Sequence, residues 1–353
     1  MMLPGKTTWR TASVYRETSD AITIVFDTDA KPFNYKAGQF VTIHLVIDGE
    51  AVSRSYSLSS CPDSDEKPSI TVKRIEDGLV SNYIFRHAEE IKTWIMEGPF
   101  GEFYPGTEVD ASQHVFLLAA GSGITPLFSI LKYLLENTAV QVTLLYSSKT
   151  WQETIFRSVL SYLEKMYAER LIIIYFFTGR DGSAGFTQSN FVDGRISRLA
   201  LKKILNKGKE AYPHFFICGP YAFIEFIIES LRGMSVEERF IQREYFSSPA
   251  ERSSSVSLPE TSFEVLLHFN EQTNLLEVNP GQTILDAALA DRIPLPYSCK
   301  QGTCGLCIGK RISGNVHMKN NFALEDSAVA EGNILLCQAH PLDDNVTIEL
   351  NRF

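Results

Sequence analysis

Long apolar runs are missing from this chain of 353 residues: the longest, at residues 115–120 and 171–177, have the length of single strands. A membrane helix needs about 18 or more such residues, so no spanning segment is expected. The first six residues, Met-Met-Leu-Pro-Gly-Lys, carry no apolar signal core. Basic residues are in deficit, with 33 Lys and Arg against 42 Asp and Glu and a net charge of −9. That balance argues against nucleic acid as a partner. No internal repeat is visible. Cysteine is scarce, six in all, and four of them fall into one pattern described next. The two left over, Cys61 and Cys218, cannot make a disulfide framework, so reducing, cytoplasmic surroundings without a membrane partner are expected.

What is present is globular in composition, 44% hydrophobic and 21% charged, and long enough for two or three domains. The cysteines form the most specific motif. Cys299, Cys304 and Cys307 stand as C-x4-C-x2-C, and Cys337 follows at a distance. This is the spacing of plant-type [2Fe–2S] ligation. Two bridged irons need four thiolates; a tight loop can supply three, and the fourth comes from across the fold. Gly302 and Gly305 lie inside the loop, where positive φ lets backbone N–H groups approach the cluster sulfides. The rival readings are a structural zinc site, whose ligands usually come as two short pairs, and buried unliganded thiols.

Two patterns of periodicity divide the rest. Residues 13–26, 39–47, 54–60 and 69–75 read as strands, with a turn at 33–38, a helix over 81–90 and closing turn residues at 98–103. Short strands with frequent turns predict a small antiparallel barrel. From residue 114 onward, strands at 114–120, 140–146, 171–177 and 215–218 alternate with helices at 127–135, 156–167, 200–206 and 221–232. That alternation predicts a doubly wound α/β domain. Residues 147–153 and 178–196 are poorly patterned and read as loops. Residues 247–262, rich in Ser, have the composition of a tether. Beyond it come strands at 263–269 and 275–278, a helix at 283–290 with Thr283 as its N-cap, the cysteine loop and a closing strand at 346–350. The multidomain order expected is a barrel at 5–108, an α/β domain at 109–246, a linker at 247–262 and an α+β cysteine domain at 263–353.

Three further motifs carry chemistry. Gly121-Ser-Gly123-Ile-Thr125-Pro126 follows a buried strand and opens a helix, where backbone N–H groups and the helix terminus favour a phosphate. Pro126 suits the first helical position. A plain βα turn is the competing reading. Cys218-Gly219-Pro220 ends another strand of the same sheet, at the edge where open α/β folds bind ligands; Cys218 alone reads as a core thiol. Arg54-Ser-Tyr56-Ser57-Leu58 places an arginine fit for a diphosphate, a ring fit for an isoalloxazine face and a hydroxyl for its polar edge. An ordinary amphipathic strand is the alternative there. Gly78-Leu-Val80-Ser81 starts a helix whose N–H groups can hold further phosphate oxygens.

In this order the motifs resemble the ferredoxin-NADP reductase superfamily fused to a C-terminal plant-type ferredoxin. Within it the chain is similar to the reductase components of phenylacetyl-CoA epoxidase and of ketosteroid hydroxylases. Pro296-Tyr-Ser-Cys299-Lys and residues 321–326 are especially similar to the former. The resemblance covers nearly the whole chain. It implies a six-stranded FAD-binding barrel, an NAD(P)-binding α/β domain and a β-grasp [2Fe–2S] domain. It places flavin at Arg54, Tyr56, Ser57 and Leu58, along Val72, Lys73 and Ile75, and at Gly78, Val80 and Ser81. It places the nicotinamide nucleotide at Gly121, Gly123, Thr125 and Pro126 and at Cys218, Gly219 and Pro220, with Thr125, Cys218 and Glu244 at the reacting centre and Phe246 returning to the flavin. Where relatives often carry Gly-Asn-Arg or Ala-Asn-Arg, this chain has Ser147-Ser148-Lys149. Hydroxyls and a lysine suit a 2′-phosphate and hence NADPH; an exposed loop without that role is the other reading, so NADH and NADPH both stand.

The function implied is an NAD(P)H-dependent flavoprotein iron–sulfur reductase. It passes electrons from NAD(P)H through FAD to the [2Fe–2S] cluster and on to a protein partner, the oxygenase component of a multicomponent monooxygenase. FMN in place of FAD, another redox acceptor such as a desaturase or hybrid-cluster protein, and a zinc-stabilised non-redox binding module are the alternatives.

Overall fold

The computed structural model describes residues 6–29, 32–109, 114–179, 190–205, 213–246, 259–324 and 326–350. The chain divides into two compact units, Lys6–Phe246 and Ser247–Phe353 together with Met1–Gly5. Most of the expected tether, residues 247–258, lies outside the described residues, as do residues 180–189 of the unpatterned stretch.

The first unit opens with six strands: β1 (Thr7–Arg16), β2 (Ala21–Asp27), β3 (Phe40–Ile47), β4 (Glu50–Ser57), β5 (Ser69–Lys73) and β6 (Thr93–Phe100). They form one antiparallel sheet in the order β4-β3-β6-β1-β2-β5. A bridge between Leu58, just past β4, and Ile70 of β5 joins the two outer strands and closes the barrel. Alternation explains the closure. Val41, Ile43, Ile24, Phe26 and Trp94 face one interior, and burying each aliphatic side chain contributes about 1.5–3 kcal/mol. Hydroxyls run along the seam: Thr23 and Thr71 lie 2.8 Å apart, Ser59 and Thr71 3.0 Å, and Ser59 and Ser69 3.2 Å. Helix α1 (Leu79–His87) follows β5.

The strand expected at 54–60 is Glu50–Ser57 and the helix expected at 81–90 is Leu79–His87, and two further barrel segments differ in kind. Residues 13–26 are not one strand, because the chain reverses where Glu17 and Thr18 both give their N–H groups to the Ala21 carbonyl. Gly98, Pro99 and Phe100 end β6 instead of forming a turn, with Phe100 opposite Phe40 of β3. Their turn-like composition hid a strand.

The same unit continues into a parallel sheet of β7 (His114–Ala120), β8 (Gln141–Ser148), β9 (Leu171–Phe177), β10 (Phe191–Asp193), β11 (His214–Gly219) and β12 (Ile241–Tyr245). Its order is β10-β9-β8-β7-β11-β12. Helices α2 (Ile124–Asn137), α3 (Arg157–Met166), α4 (Arg198–Leu205) and α5 (Tyr221–Arg232) connect it. The middle strands are apolar on both faces, with Leu117, Leu118, Ile217 and Phe216 fully buried, as a sheet covered on both sides requires. Chain order reverses between β7 and β11. Ligands of open α/β sheets sit at such a reversal, beyond the carboxyl ends of the strands. β10 and β12 escaped the sequence reading. The first lies in the unpatterned stretch, and charged Arg243 and Glu244 break the alternation of the second.

The second unit contains β13 (Phe263–Phe269), β14 (Gln272–Val278), α6 (Ile284–Ala290), β15 (Ile308–Ser313), β16 (Val316–Met318), α7 (Asp326–Ala330), β17 (Asn333–Leu335), β18 (Ala339–Pro341) and β19 (Val346–Leu350). Five strands make a mixed sheet, β14-β13-β19-β15-β17, and β16 pairs with β18. Within that sheet β13 and β19 run parallel and the other neighbouring pairs antiparallel. Ile284, Leu285, Ala287 and Ala288 of α6 join the core against Val265, Leu267 and Ile348, giving a β-grasp. Thr283 caps α6 as expected, its hydroxyl accepting the Asp286 N–H at 3.1 Å. Among the described residues no helix is long and apolar enough to cross a membrane.

Candidate functional site

Two turns meet where the parallel sheet reverses. β7 runs through a tight turn at Gly121–Gly123 into α2, and the neighbouring β11 ends at Gly219 before Pro220 and α5. A Cβ on Gly123 would fall 2.2 Å from the Cys218 carbonyl oxygen, so only glycine lets the two turns touch. Thr125 donates its hydroxyl to the Ser122 carbonyl at 3.0 Å. Pro126 is the third residue of α2, not the first. It still lies in the first turn, where a missing N–H breaks no helical bond.

The edge strand β12 adds a carboxyl group. Glu244 stands opposite Cys218 in the register of β11 and β12. Ser57, at the end of β4, donates its hydroxyl to Glu244 Oε2 at 3.2 Å. Glu244 as a residue is half-buried, but its carboxyl group is enclosed, and burial pushes it up to about 8 while the Ser57 bond opposes the rise. The Cys218 thiol is pushed well above its ordinary value, by burial first and by Glu244 second. The fold therefore gathers Ser57, Gly123, Cys218, Gly219 and Glu244 from four separate segments into one place.

The remaining candidates from the barrel and its flanks differ in exposure. Burial raises the Tyr56 hydroxyl. Arg54 is exposed, its Nη1 donating to the Ser53 carbonyl at 2.8 Å. The Leu58, Val72 and Val80 side chains are core. Lys73 pairs with Asp20 at 3.1 Å. Ile75 and Phe246 are exposed apolar residues. Gly78 is the N-cap of α1, and the Ser81 hydroxyl accepts the Ile75 N–H at 3.3 Å. Further out, at the carboxyl end of β8, the buried Ser148 hydroxyl is 2.9 Å from that of Thr154, while Lys149 is exposed.

In the second unit the four motif cysteines come together. Cys299 lies within hydrogen-bonding reach of Cys304 and Cys337, and Cys307 of Cys337. Cys299 Sγ also accepts the N–H groups of Gln301 at 3.3 Å and Thr303 at 3.4 Å. Gly302 makes this wrap possible, since its φ is +78° and a Cβ would stand 3.0 Å from the Asn320 carbonyl. Gln338 escaped the sequence reading; only its place beside Cys337 marks it. Its Nε2 donates to the Lys300 carbonyl at 2.9 Å and lies 3.7 Å from Cys337 Sγ. Thiols from a glycine-bearing loop with inward N–H donors, plus one distant thiol, fit an iron–sulfur cluster.

Family models match in the same order: an oxidoreductase FAD-binding domain over residues 11–104, an oxidoreductase NAD-binding domain over 117–229 and a 2Fe-2S iron-sulfur cluster binding domain over 267–342. These domains select FAD over FMN and iron–sulfur over zinc. The chain is 31% identical over 348 residues to a component of 1,2-phenylacetyl-CoA epoxidase from Escherichia coli, covering 96% of both chains. It is 33% identical over 353 residues to the ferredoxin reductase component of 3-ketosteroid-9-alpha-monooxygenase of Mycolicibacterium smegmatis, covering 96% of this chain and 95% of that one. Phthalate dioxygenase reductase, described as a modular structure for electron transfer from pyridine nucleotides to [2Fe-2S], has the same fold. The TM-score is 0.64 at 21% identity, with 98% of each chain covered. This chain thus belongs to the ferredoxin-NADP reductase superfamily, in the branch of NAD(P)H-dependent, FAD-containing oxidoreductases that end in a [2Fe–2S] ferredoxin domain and hand electrons to a redox protein.

Proposed function

We propose that this protein is the reductase component of a multicomponent monooxygenase of the phenylacetyl-CoA epoxidase kind. The observation that carries the chemistry is the Ser57–Glu244 hydrogen bond beside Cys218 at the sheet reversal. It sets an enclosed carboxyl and a hydroxyl where barrel and parallel sheet meet. The partner is argued from similarity along the full chain to two monooxygenase components. When bound, the nicotinamide, flavin and cluster supply hydride transfer and the change from paired to single electrons.

The chain's own residues position these groups. Arg54, Ser81 and the N–H groups after Gly78 hold the flavin diphosphate, and Tyr56 covers the ring. Ser57 and Glu244 hold a proton at its polar edge. Leu58, Val72, Lys73, Ile75, Val80 and Phe246 line the flavin, several by backbone alone. Gly121, Gly123, Thr125 and Pro126, with Cys218, Gly219 and Pro220, shape the nicotinamide slot. Lys149 is the charged candidate at the 2′-end, since the Ser148 hydroxyl is engaged with Thr154. Cys299, Cys304, Cys307 and Cys337 ligate the irons. Domain limits at 5–108, 109–246 and 263–353 follow this division of labour.

The test is anaerobic titration of purified protein with NADH and with NADPH, reading flavin bleaching and cluster reduction. Oxygenase, desaturase and hybrid-cluster acceptors are then compared. Preferred reduction of a desaturase or hybrid-cluster protein would overturn the partner assignment, and an inert flavin would overturn the reaction.

A further inference from the structure

Tyr146 makes two hydrogen bonds that join segments far apart in sequence. It lies on β8 and is fully buried. Its hydroxyl donates to the Gly121 carbonyl at 3.1 Å and accepts the Ile155 N–H at 3.3 Å. Gly121 begins the glycine turn after β7. Ile155 lies between β8 and α3, past the carboxyl end of the next strand. Its neighbour Phe156 gives its own N–H to Glu17 Oε2 at 3.2 Å. The other Glu17 oxygen accepts the Thr23 hydroxyl at 2.7 Å.

A continuous path of polar contacts therefore runs from barrel strand β2 to the glycine turn, by way of Thr23, Glu17, the Ile155–Phe156 backbone and Tyr146. Phe156 is fixed twice over. It holds a left-handed backbone with φ 61°, and its ring stacks on Phe128 of α2 at 4.1 Å.

The path bears on how the turn can bind an anion. In a planar trans peptide the C=O and the next N–H point in opposite directions. The Gly121 carbonyl is drawn toward Tyr146, and the Ser122 carbonyl is held by Thr125. The N–H groups of Ser122 and Gly123 are thereby turned the other way. Those are the donors that a glycine turn offers to a diphosphate.

We propose that Tyr146 and Glu17 are positioning residues for the pyridine nucleotide. Tyr146 fixes the orientation of the glycine turn. Glu17 fixes the Ile155–Phe156 segment against the barrel, so that the barrel itself sets where the nucleotide lies. This rests on the reading of Gly121–Pro126 as the nucleotide turn.

The experiment uses holoprotein carrying Tyr146→Phe, Glu17→Gln or both, with NADH and NADPH as probes. Tyr146→Phe is expected to raise Kd and KM for the nucleotide about tenfold, with kcat at saturation kept within about twofold. Glu17→Gln is expected to raise them about threefold to fivefold. The double variant falls short of the product of the two, because both act through one segment. FAD and iron content, and the rate at which dithionite-reduced protein reduces cytochrome c, stay as in the wild type. Unchanged Kd in Tyr146→Phe, a KM rise matched by loss of FAD, or fully multiplicative effects would each overturn the proposal. Wild-type protein whose flavin ignores NADH and NADPH alike would instead overturn the reading of the turn beneath it.

Discussion

The Ser57 hydroxyl and Glu244 Oε2 are 3.2 Å apart although 187 positions separate them in sequence. Burial raises the carboxyl to about 8 from an ordinary 4.5. A carboxyl raised in the folded state binds more protons there than in the unfolded chain. Its contribution to stability is thus complete below about 4.5 and is lost as pH climbs through about 8. Glu244→Gln is expected to match the wild type near pH 5 and to exceed it at pH 9, on the order of 2–4 kcal/mol. Ser57→Ala removes the bond that favours the carboxylate, so it should move the loss to higher pH. Urea denaturation from pH 5 to 9 reads both, and parallel curves for all three proteins would count against an enclosed carboxyl.

Gly123 is the tightest point between the turns that follow β7 and β11. An alanine there needs a shift of backbone, since its Cβ would sit 2.2 Å from the Cys218 carbonyl. Gly123→Ala should lose about 3 kcal/mol, the upper range for overpacking, and should abolish NAD(P)H-dependent flavin reduction. Wild-type reduction kinetics in this variant would show that the two turns need not touch.

Removing one thiol should split the electron path at a known place. In Cys337→Ser, iron content falls and cytochrome c reduction is lost, while NAD(P)H still bleaches the flavin in the intact first unit. Elemental analysis and stopped-flow absorbance follow the two halves separately. Loss of flavin reduction as well would mean that the path is not in series.

Charge gives a fourth test. Residues 263–353 hold 11 Asp and Glu against 6 Lys and Arg. An acidic carrier surface steers toward a basic partner, and salt screens it with a Debye length of about 10 Å at 0.1 M. The second-order rate of partner reduction should fall as ionic strength rises from about 0.02 to about 0.5 M. A flat salt dependence would sink the steering idea.

Some elements were readable in the sequence because one local cause decides them. Leu171–Phe177, Tyr221–Arg232, Phe263–Phe269 and Val346–Leu350 have the bounds that apolar periodicity predicts. The four cysteines were legible for the same reason, since spacing alone encodes their chemistry. The misses are cases where tertiary structure decides. Ile241–Tyr245 becomes a strand because β11 pairs with it, although Arg243 and Glu244 look solvent-facing. Thr93–Phe100 ends in residues that usually mark turns, and only pairing with β1 and β3 makes it a strand. Tyr146 and Gln338 carry no motif. An aromatic in a buried strand and an amide after a cysteine look ordinary until their partners are known.

The run of alcohols from Thr23 through Thr71 to Ser59 and Ser69 decides more than how the sheet is closed. Apolar contacts tolerate sliding, whereas each of these groups needs its opposite number at one distance and one angle. Ser59 stands two residues beyond Ser57, so anchoring it fixes the height of that hydroxyl opposite Glu244. A slip of a single position would turn Tyr56 to the other face of the strand. The stitching thus acts as an alignment gauge, and the position of Ser57 against Glu244 is set in part by hydroxyls on β2 and β5.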